Sequence, residues 1–413
     1  MVAALDALAD PDRVLEALLA TPEGQADPYA LYHRLRESSP LHRSGLDGLW
    51  YASRYHDCRQ ILLDPRCGRR PGEVVRRHGM TQAQARRFAR RRSRPNMLSV
   101  NPPDHTRLRG ATRGWFTPAP LERLAPRIGE IVDDCLDVLA AHGDADVMAD
   151  LAFPLPVTVI GEVVGVPAGD RDALRPLVWA IIAADQPGAP DALVEDAEDA
   201  SDRLDDFFVD LIAERRARPA DDLLSELVAA ADQGILSGEE LLATVTLLFV
   251  AGFVTTTNLI GNGLLALLRH PDQLARLAGD PGLLPLTVDE ILRYDGPVQM
   301  TQRAVLADID LGGRTLRAGD TVMTILGAAN RDPHAFADPD RFDVTRADNP
   351  PLAFGYGIHH CLGAGLARLE GRIVFRRLLE RFSDLELLDP DPPRHPGFFG
   401  RRLARLPVRL TPR

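Results

Sequence analysis

The chain contains no lysine: all 48 of its basic residues are arginine. With its many Ala, Asp and Gly residues, this reads as the coding bias of a GC-rich bacterial genome, a statement about origin rather than mechanism. Cysteine is scarce as well. Cys58, Cys67, Cys135 and Cys361 are too few and too scattered for a disulfide framework or a zinc site, and they suit a reducing, cytoplasmic setting. A formal net charge of −11 argues against general nucleic-acid binding. Met1 to Asp12 has neither a basic stretch nor a long apolar run, so no export signal is expected. No Ser- or Gly-rich spacer and no internal repeat divides the 413 residues. A single domain over residues 1–413 is therefore expected, although the length exceeds the usual size of one core.

One further absence points the other way. Leu241 to Leu268 holds no charged residue and is long enough to span a bilayer. It does carry five threonines and two asparagines, and it follows a capping box, Ser237 with Glu240 three residues on. A helix apolar on nearly all sides is also what the centre of a large α-protein requires, and the expectation is that reading, with no membrane partner.

What is present is mostly helical. Helices are predicted over Pro28–Ser38, Tyr55–Leu63, Leu121–His142, Pro154–Val166, Arg171–Ala184, Ala192–Arg218, Ser237–His270 and Pro285–Tyr294, with a Pro/Gly loop at Asp185–Asp191. Strand signals are short: Leu49–Ala52, Ile309–Leu311 turning at Gly312-Gly313, Thr321–Ile325 and Leu406–Leu410. The fold class is mainly α with a small β region.

The most specific run is Phe354-Gly355-Tyr356-Gly357-Ile358-His359-His360-Cys361-Leu362-Gly363. Its glycines permit a tight bulged loop. Leu362, Leu366, Leu369 and Ile373 then mark one apolar face of a helix that Cys361 opens, whose N-terminal dipole would favour a thiolate. The run resembles the haem-binding loop of the cytochrome P-450 family (Phe, two residues, Gly, three residues, Cys, one residue, Gly) at all four fixed positions: Phe354, Gly357, Cys361 and Gly363. The resemblance implies the P-450 fold, haem b with Cys361 as axial iron ligand, and electrons from NAD(P)H through ferredoxin and ferredoxin reductase. A thiolate ligand favours O–O bond cleavage.

Three further motifs stand in that family's order. Glu290 and Arg293 lie three apart on one helical face, and with Arg341 in Asp338-Pro339-Asp340-Arg341-Phe342 they resemble a buried structural Glu–Arg–Arg cluster. His105 and Arg109 fall one turn apart, a spacing that suits a carboxylate; in the family these positions bind the haem propionates, as do those matching Arg303 and His359. The centre of the apolar helix, Ala251-Gly252-Phe253-Val254-Thr255-Thr256, matches the oxygen-binding pattern except at Val254, where an acid usually helps relay protons. Ala251 and Gly252 would leave room for dioxygen and Thr255 would donate to it. Protons would have to come by another route, for which a water chain on Thr255 and Thr256, a substrate hydroxyl, or a reaction needing no full relay are open.

By the same resemblance the substrate pocket would draw on Met97, Leu98, Trp179, Ile182, Leu247, Val250, Val298, Met300, Phe398 and Phe399, with Pro297 beside them. This apolar set suits a bulky hydrophobic secondary metabolite such as a polyketide or macrolide, hydroxylated or epoxidised. Oxidative coupling, or action on a carrier-protein-bound substrate, is the alternative within the class; a non-catalytic haem-binding or sensor protein is the alternative outside it. Two charge runs complete the reading. Arg66–Arg94 holds eleven arginines against Glu73, and Glu195–Asp206 holds seven acids against Arg203. They attract each other across the substrate entrance, are plain solvated faces, or offer the basic run to an anionic partner. Arg107, Arg109, Arg113, Arg368 and Arg372 form a second basic patch, the expected docking face for an acidic ferredoxin.

Overall fold

A computed structural model describes residues 10–413 apart from 71–72, 74–75, 93, 185–187 and 398–399, and the backbone alone of 91–92. In chain order its helices are α1 Pro11–Ala20, α2 Pro22–Ala26, α3 Tyr29–Ser38, α4 Tyr55–Leu63, α5 Gln82–Arg92, α6 Asp104–Thr112, α7 Pro118–His142, α8 Pro154–Val164, α9 Arg171–Ala183, α10 Asp191–Ala217, α11 Leu223–Asp232, α12 Gly238–Arg269, α13 Pro271–Gly279, α14 Leu284–Asp295, α15 Leu326–Ala329 and α16 Ala364–Arg381. The strands are β1 Leu41–Arg43, β2 Trp50–Ala52, β3 Cys67–Gly68, β4 Asp144–Asp146, β5 Met300–Val305, β6 Ile309–Leu311, β7 Arg314–Leu316, β8 Thr321–Ile325, β9 Phe382–Leu387, β10 Arg394–His395, β11 Arg402–Leu403 and β12 Pro407–Pro412.

The expected mainly α architecture is what forms. β1-β2-β8-β5-β3 make the largest sheet, antiparallel except for the β2–β8 pair. β4-β12-β9 make a second sheet, and β6–β7 is the hairpin expected around Gly312-Gly313. β5 and α11 carried signals too weak to predict: β5 has no polar alternation because five of its six residues are buried.

α12 is the axis of the molecule. Its capping box closes as expected, with Glu240 N–H donating to Ser237 Oγ at 3.1 Å and Ser237 N–H to Glu240 Oε2 at 2.9 Å. Every residue from Thr256 to Leu267 is buried. The stretch that satisfies the length and hydropathy of a membrane span is thus the packed centre of the fold, touching α8, α10, α14 and α16. Two apolar clusters divide along it. One joins α7, α14 and α16 to its C-terminal half; the other joins α8 to α11 to its N-terminal half. The cysteine loop lies where they meet.

Candidate active site

The loop before α16 is shaped by glycines at positive φ. Gly355 (68°) and Gly357 (72°) turn the chain back on itself, and a Cβ on Gly357 would fall 2.4 Å from the Leu62 carbonyl oxygen at the end of α4. Cys361 N–H donates to Phe354 O at 2.9 Å, closing the loop, and Arg109 donates from Nη2 to His360 O at 2.7 Å. The Arg368 guanidinium stacks 4.6 Å from the centre of the Phe354 ring. Helix α16 begins at Ala364, so Cys361 precedes it rather than opening it.

Of the four cysteines, Cys361 alone is exposed, and the surface it shows is the wall of a cavity. Cys58, Cys67 and Cys135 are buried, which raises all three thiols, Cys67 to about 12 and Cys135 to about 11. Crowding by protein also raises Cys361, but Gly363 N–H and the guanidinium groups of Arg109 and Arg368 oppose it. In the protein alone burial wins; a coordinated metal would remove the proton outright.

The cavity encloses about 330 Å³. Along α12 its wall is Leu247, Leu248, Ala251, Gly252, Thr255, Thr256 and Leu259, one stripe at helical spacing. Val254 lies off that stripe and packs with the α8–α11 cluster, so the position without an acid is not on the cavity wall. Thr255 is on the wall, its hydroxyl donating to Ala251 O at 3.0 Å. Gly252 serves packing as well as space, since a Cβ there would lie 2.7 Å from Ile160.

At one end of the cavity the charges are all of one sign. Arg69, Arg109, Arg303 and His359 line it, and His105 packs edge-on against His359 with ring centres 4.6 Å apart. Burial, then Arg69, Arg303, His105 and Arg109, push His359 down to about 2; burial, then Arg109 and Arg69, lower His105. Burial takes Arg303 down to about 10. The ring nitrogens of both histidines and Nε of Arg303 are buried without a hydrogen-bond partner. Orphaned donors facing a cavity fit a carboxylate-bearing ligand, and Cys361 on the same wall fits a metal that takes a thiolate.

The apolar wall agrees in part with expectation. Met97, Leu98, Leu247, Pro297 and Val298 line it. Trp179 does not: it packs against Phe153, Phe253 and His395, and Ile182 and Val250 join the same α8–α11 cluster. Met300 is also displaced, buried with Val14, Leu15 and Tyr32 on the far face of β5, while Thr301 and Arg303 face the cavity. Strand alternation from Arg303 selects Thr301 and excludes Met300, a signal lost because β5 was not recognised. Phe398 and Phe399 lie outside the described residues. Arg69, Ile160 and Glu370 were missed; Glu370 follows Leu366 by one turn and is an acid on an apolar helix face.

The buried Glu–Arg–Arg cluster exists with a different third member. Glu290 and Arg293 are fully buried and paired through two bonds of 2.7 and 2.8 Å. The second guanidinium on Glu290 is that of Arg346, at 3.1 Å. Arg341 points outward, 57% exposed beside Asp343, and gives the cluster only its carbonyl, which accepts from Arg293 at 3.0 Å.

Part of the basic run, and Asp202 and Asp205 of the acidic run, are engaged inside the molecule. Arg90 pairs with Asp202 and Arg94 with Asp205, tying the α5 region to α10; Arg66 pairs with Asp64, Arg70 with Glu73, and Arg77 donates to Gln302. The second patch is thinner than its sequence: Arg107 is held by Glu240 and Asp104, Arg368 by Asp289, and Arg109 turns toward the cavity. Arg113 and Arg372 are its members without an ion pair among the described residues.

A cysteine loop, an end lined by arginine and histidine, and a helical stripe that includes Ala251, Gly252 and Thr255 share one cavity, an arrangement that fits a haem-thiolate site. The model of the family described as Cytochrome P450 matches residues 175–280 and 282–406. The cytochrome P450 monooxygenase PikC of Streptomyces venezuelae is 43% identical over 395 residues, covering 93% of this chain and 91% of that protein. The vitamin D(3) 25-hydroxylase of Pseudonocardia autotrophica is 42% identical over 395 residues, 94% of each. Among solved structures, P450BioI in complex with an acyl carrier protein ligated to hexadec-9Z-enoic acid superposes with a TM-score of 0.86 at 38% identity, over 94% of this chain and 100% of that one. The chain belongs to the cytochrome P450 family. It is a haem monooxygenase, an oxidoreductase that uses haem b and electrons from NAD(P)H, which sets aside the non-catalytic alternative.

Proposed function

We propose that this cytochrome P450 oxygenates a bulky, mostly apolar small molecule, a secondary metabolite of the polyketide or macrolide kind, by hydroxylation or epoxidation. One observation carries the reading: Cys361, the anion-binding end and the apolar stripe of α12 line a single cavity. Cys361 would hold the haem iron, and Arg109, Arg303, His105 and His359, with Arg69, would hold the propionates. When bound, the haem supplies the activation of dioxygen. The chain's own residues do the rest. Met97, Leu247 and Val298 exclude water and orient the substrate through apolar contact, and Thr301 supplies a polar anchor. Thr255 holds a hydroxyl on the cavity wall. The whole of residues 1–413 would act as one unit in the cytoplasm, with a ferredoxin docking through Arg113 and Arg372.

The test is a titration of candidate metabolites followed by the haem spin-state spectrum. Apolar polyketides are expected to displace water and shift the spectrum at micromolar concentration, with product formed under NAD(P)H, ferredoxin and reductase; silence toward the whole class, with small polar ligands active, would overturn the assignment. The carrier-bound reading is supported by the acyl-carrier complex of the P450BioI neighbour. It draws nothing from Arg66, Arg70, Arg77, Arg90 and Arg94 of the basic run, which are engaged within the fold. A free acid and its carrier-linked form should therefore bind with similar salt dependence.

Arg303 gives a separate check. Arg303→Leu removes a buried donor at the anion-binding end. Haem affinity is expected to fall by about 10–100-fold, as when a supporting partner of a metal site is removed. Transfer of haem to an acceptor protein measures it, and an unchanged transfer rate would remove Arg303 from the site.

A further inference from the structure

Two residues of the cavity wall, Pro297 and Val298, stand on a segment with little hold of its own. They lie between α14, which ends at Asp295, and β5, which starts at Met300, so neither belongs to a helix or a strand. Pro297 also has no N–H to give. The neighbouring chain holds the segment instead. Pro297 O accepts from Arg401 N–H at 3.0 Å, and Val298 bridges Gly400 in antiparallel register. The approach is close, since a Cβ on Gly400 would lie 3.3 Å from Pro297 O. From the other side, buried Gln299 donates to Gly296 O at 2.7 Å and accepts from Tyr32 OH at 3.0 Å.

β10 and β11 are two residues each, too short a pair to place Gly400 and Arg401 unaided. A buried carboxylate fixes them. Asp295 accepts from Nε and Nη2 of Arg401, from Arg394 Nη2 at 3.2 Å and from Tyr29 OH at 2.6 Å. Arg401 Nη1 goes on to Ala26 O at 2.6 Å. Asn262 of α12 closes the group: its Nδ2 donates to Asp295 O at 3.2 Å and Arg401 O at 3.1 Å, and its Oδ1 accepts from Arg394 at 3.0 Å. Burial would raise the Asp295 carboxyl, but Arg401, Arg394 and Tyr29 hold it down to about 2, so it is charged at neutral pH. None of Asp295, Arg394 and Arg401 lines the cavity.

We propose that Asp295 is a positioning residue for substrate selection: by gripping Arg394 and Arg401 it holds Gly400 and Arg401 against Pro297 and Val298, and so fixes the shape that one cavity wall presents to a bulky ligand. This role rests on the reading of the cavity as the substrate site of a haem monooxygenase and adds the groups that set its selectivity. An apolar wall selects by shape alone, and a misfit of one methylene there changes binding by about 10-fold or more. Charge-assisted bonds that converge on one carboxylate from two guanidinium groups and a hydroxyl allow a single arrangement of the chains that carry them. Asparagine at 295 would keep the shape but lose the charge, leaving Arg394 and Arg401 buried beside a neutral group and the wall free to shift.

Two measurements on the haem-loaded enzyme test this. The first is a spectral titration with two imidazoles: N-methylimidazole, which has almost no apolar body, and N-dodecylimidazole, whose alkyl chain must run along the apolar wall. In Asp295→Asn the long-chain ligand should bind about 10-fold more weakly, the low end of the misfit of one methylene, while N-methylimidazole binds as in wild type. A general loss of fold or haem would weaken both alike. The second is amide exchange, which reads the backbone whatever the cavity binds: residues 296–300 and 400–403 should lose protection in Asp295→Asn, and the β4-β12-β9 sheet should keep its own. Arg394→Gln retains the Asp295–Arg401 pair and should show the same selective loss to a smaller degree, which keeps the test decisive if Asp295→Asn does not fold. An equal effect on both imidazoles, none included, or unaltered protection at both segments would overturn the proposal. Failure of the wild-type chain to show a thiolate-haem spectrum would instead sink the parent reading and leave the exchange result standing.

Discussion

Glu290→Gln is expected to destabilise the protein by about 3–5 kcal/mol, the cost of leaving a buried charge without its partner. The two Glu290 oxygens take five bonds: two from Arg293, one each from Arg346 and Asn349 at 3.1 Å, and one from Asp343 N–H at 2.8 Å. Glutamine keeps the shape but loses the charge and turns one acceptor into a donor that faces a guanidinium. Arg293 cannot move to water, because it also donates to the carbonyls of Asn330, Pro339 and Arg341. Those carbonyls belong to the segment that leads to the cysteine loop, and Asn330 Oδ1 accepts from Leu352 N–H at 2.7 Å just before it. Loss of Glu290 should therefore weaken haem retention together with stability, measured by urea unfolding and by release of haem. Arg293→Leu combined with Glu290→Leu should cost less than the sum of the single changes, since the removed partners are one unit. A loss below about 1 kcal/mol for Glu290→Gln, the range of an exposed pair, would show that water reaches the cluster.

The same cluster shows what a sequence can and cannot disclose. Glu290 and Arg293 were legible because three residues on a helix is one turn, and the geometry follows from the period alone. The third member sits in an irregular segment that has no period. Arg341 and Arg346 are equally placed by composition; only the backbone path, with Asp338 at a φ of 44°, decides that Arg346 turns inward and Arg341 outward. The haem loop was legible because Phe354, Gly357, Cys361 and Gly363 stand together in a family pattern, and Gly357, at a φ of 72°, meets a requirement of the turn itself. Cavity lining depends on which face a residue presents, so Trp179 and Met300 lie off the wall while Met97, Leu247 and Val298 lie on it. Of the three readings of the charge runs, mutual attraction is the one that the Arg90–Asp202 and Arg94–Asp205 pairs support, though composition alone does not say which partners meet.

The largest effect on activity is expected at Cys361. Cys361→Ser should leave the fold intact, because the side chain packs into no apolar cluster and its loop is closed by main-chain bonds: Cys361 N–H to Phe354 O, Gly355 N–H to Leu352 O at 2.8 Å and His360 N–H to Gly357 O at 3.0 Å. The anion-binding side chains stay in place, so the variant should still take up haem through Arg109, Arg303, His105 and His359, though less tightly. What it loses is a polarisable anion. A serine hydroxyl remains neutral near pH 7, whereas the thiol has Gly363 N–H and the guanidinium groups of Arg109 and Arg368 to stabilise its deprotonated form against burial. The reduced, carbon monoxide-bound spectrum should lose its thiolate signature. Product formation should fall by more than the ~100-fold that loss of an outer partner costs a metal site, because the ligand itself supplies the electron density for O–O cleavage. Cys67→Ser and Cys135→Ser should leave both the spectrum and turnover unchanged, since those thiols are buried and do not line the cavity. Retention of the thiolate spectrum in Cys361→Ser would place the ligand on another cysteine and refute the site as drawn.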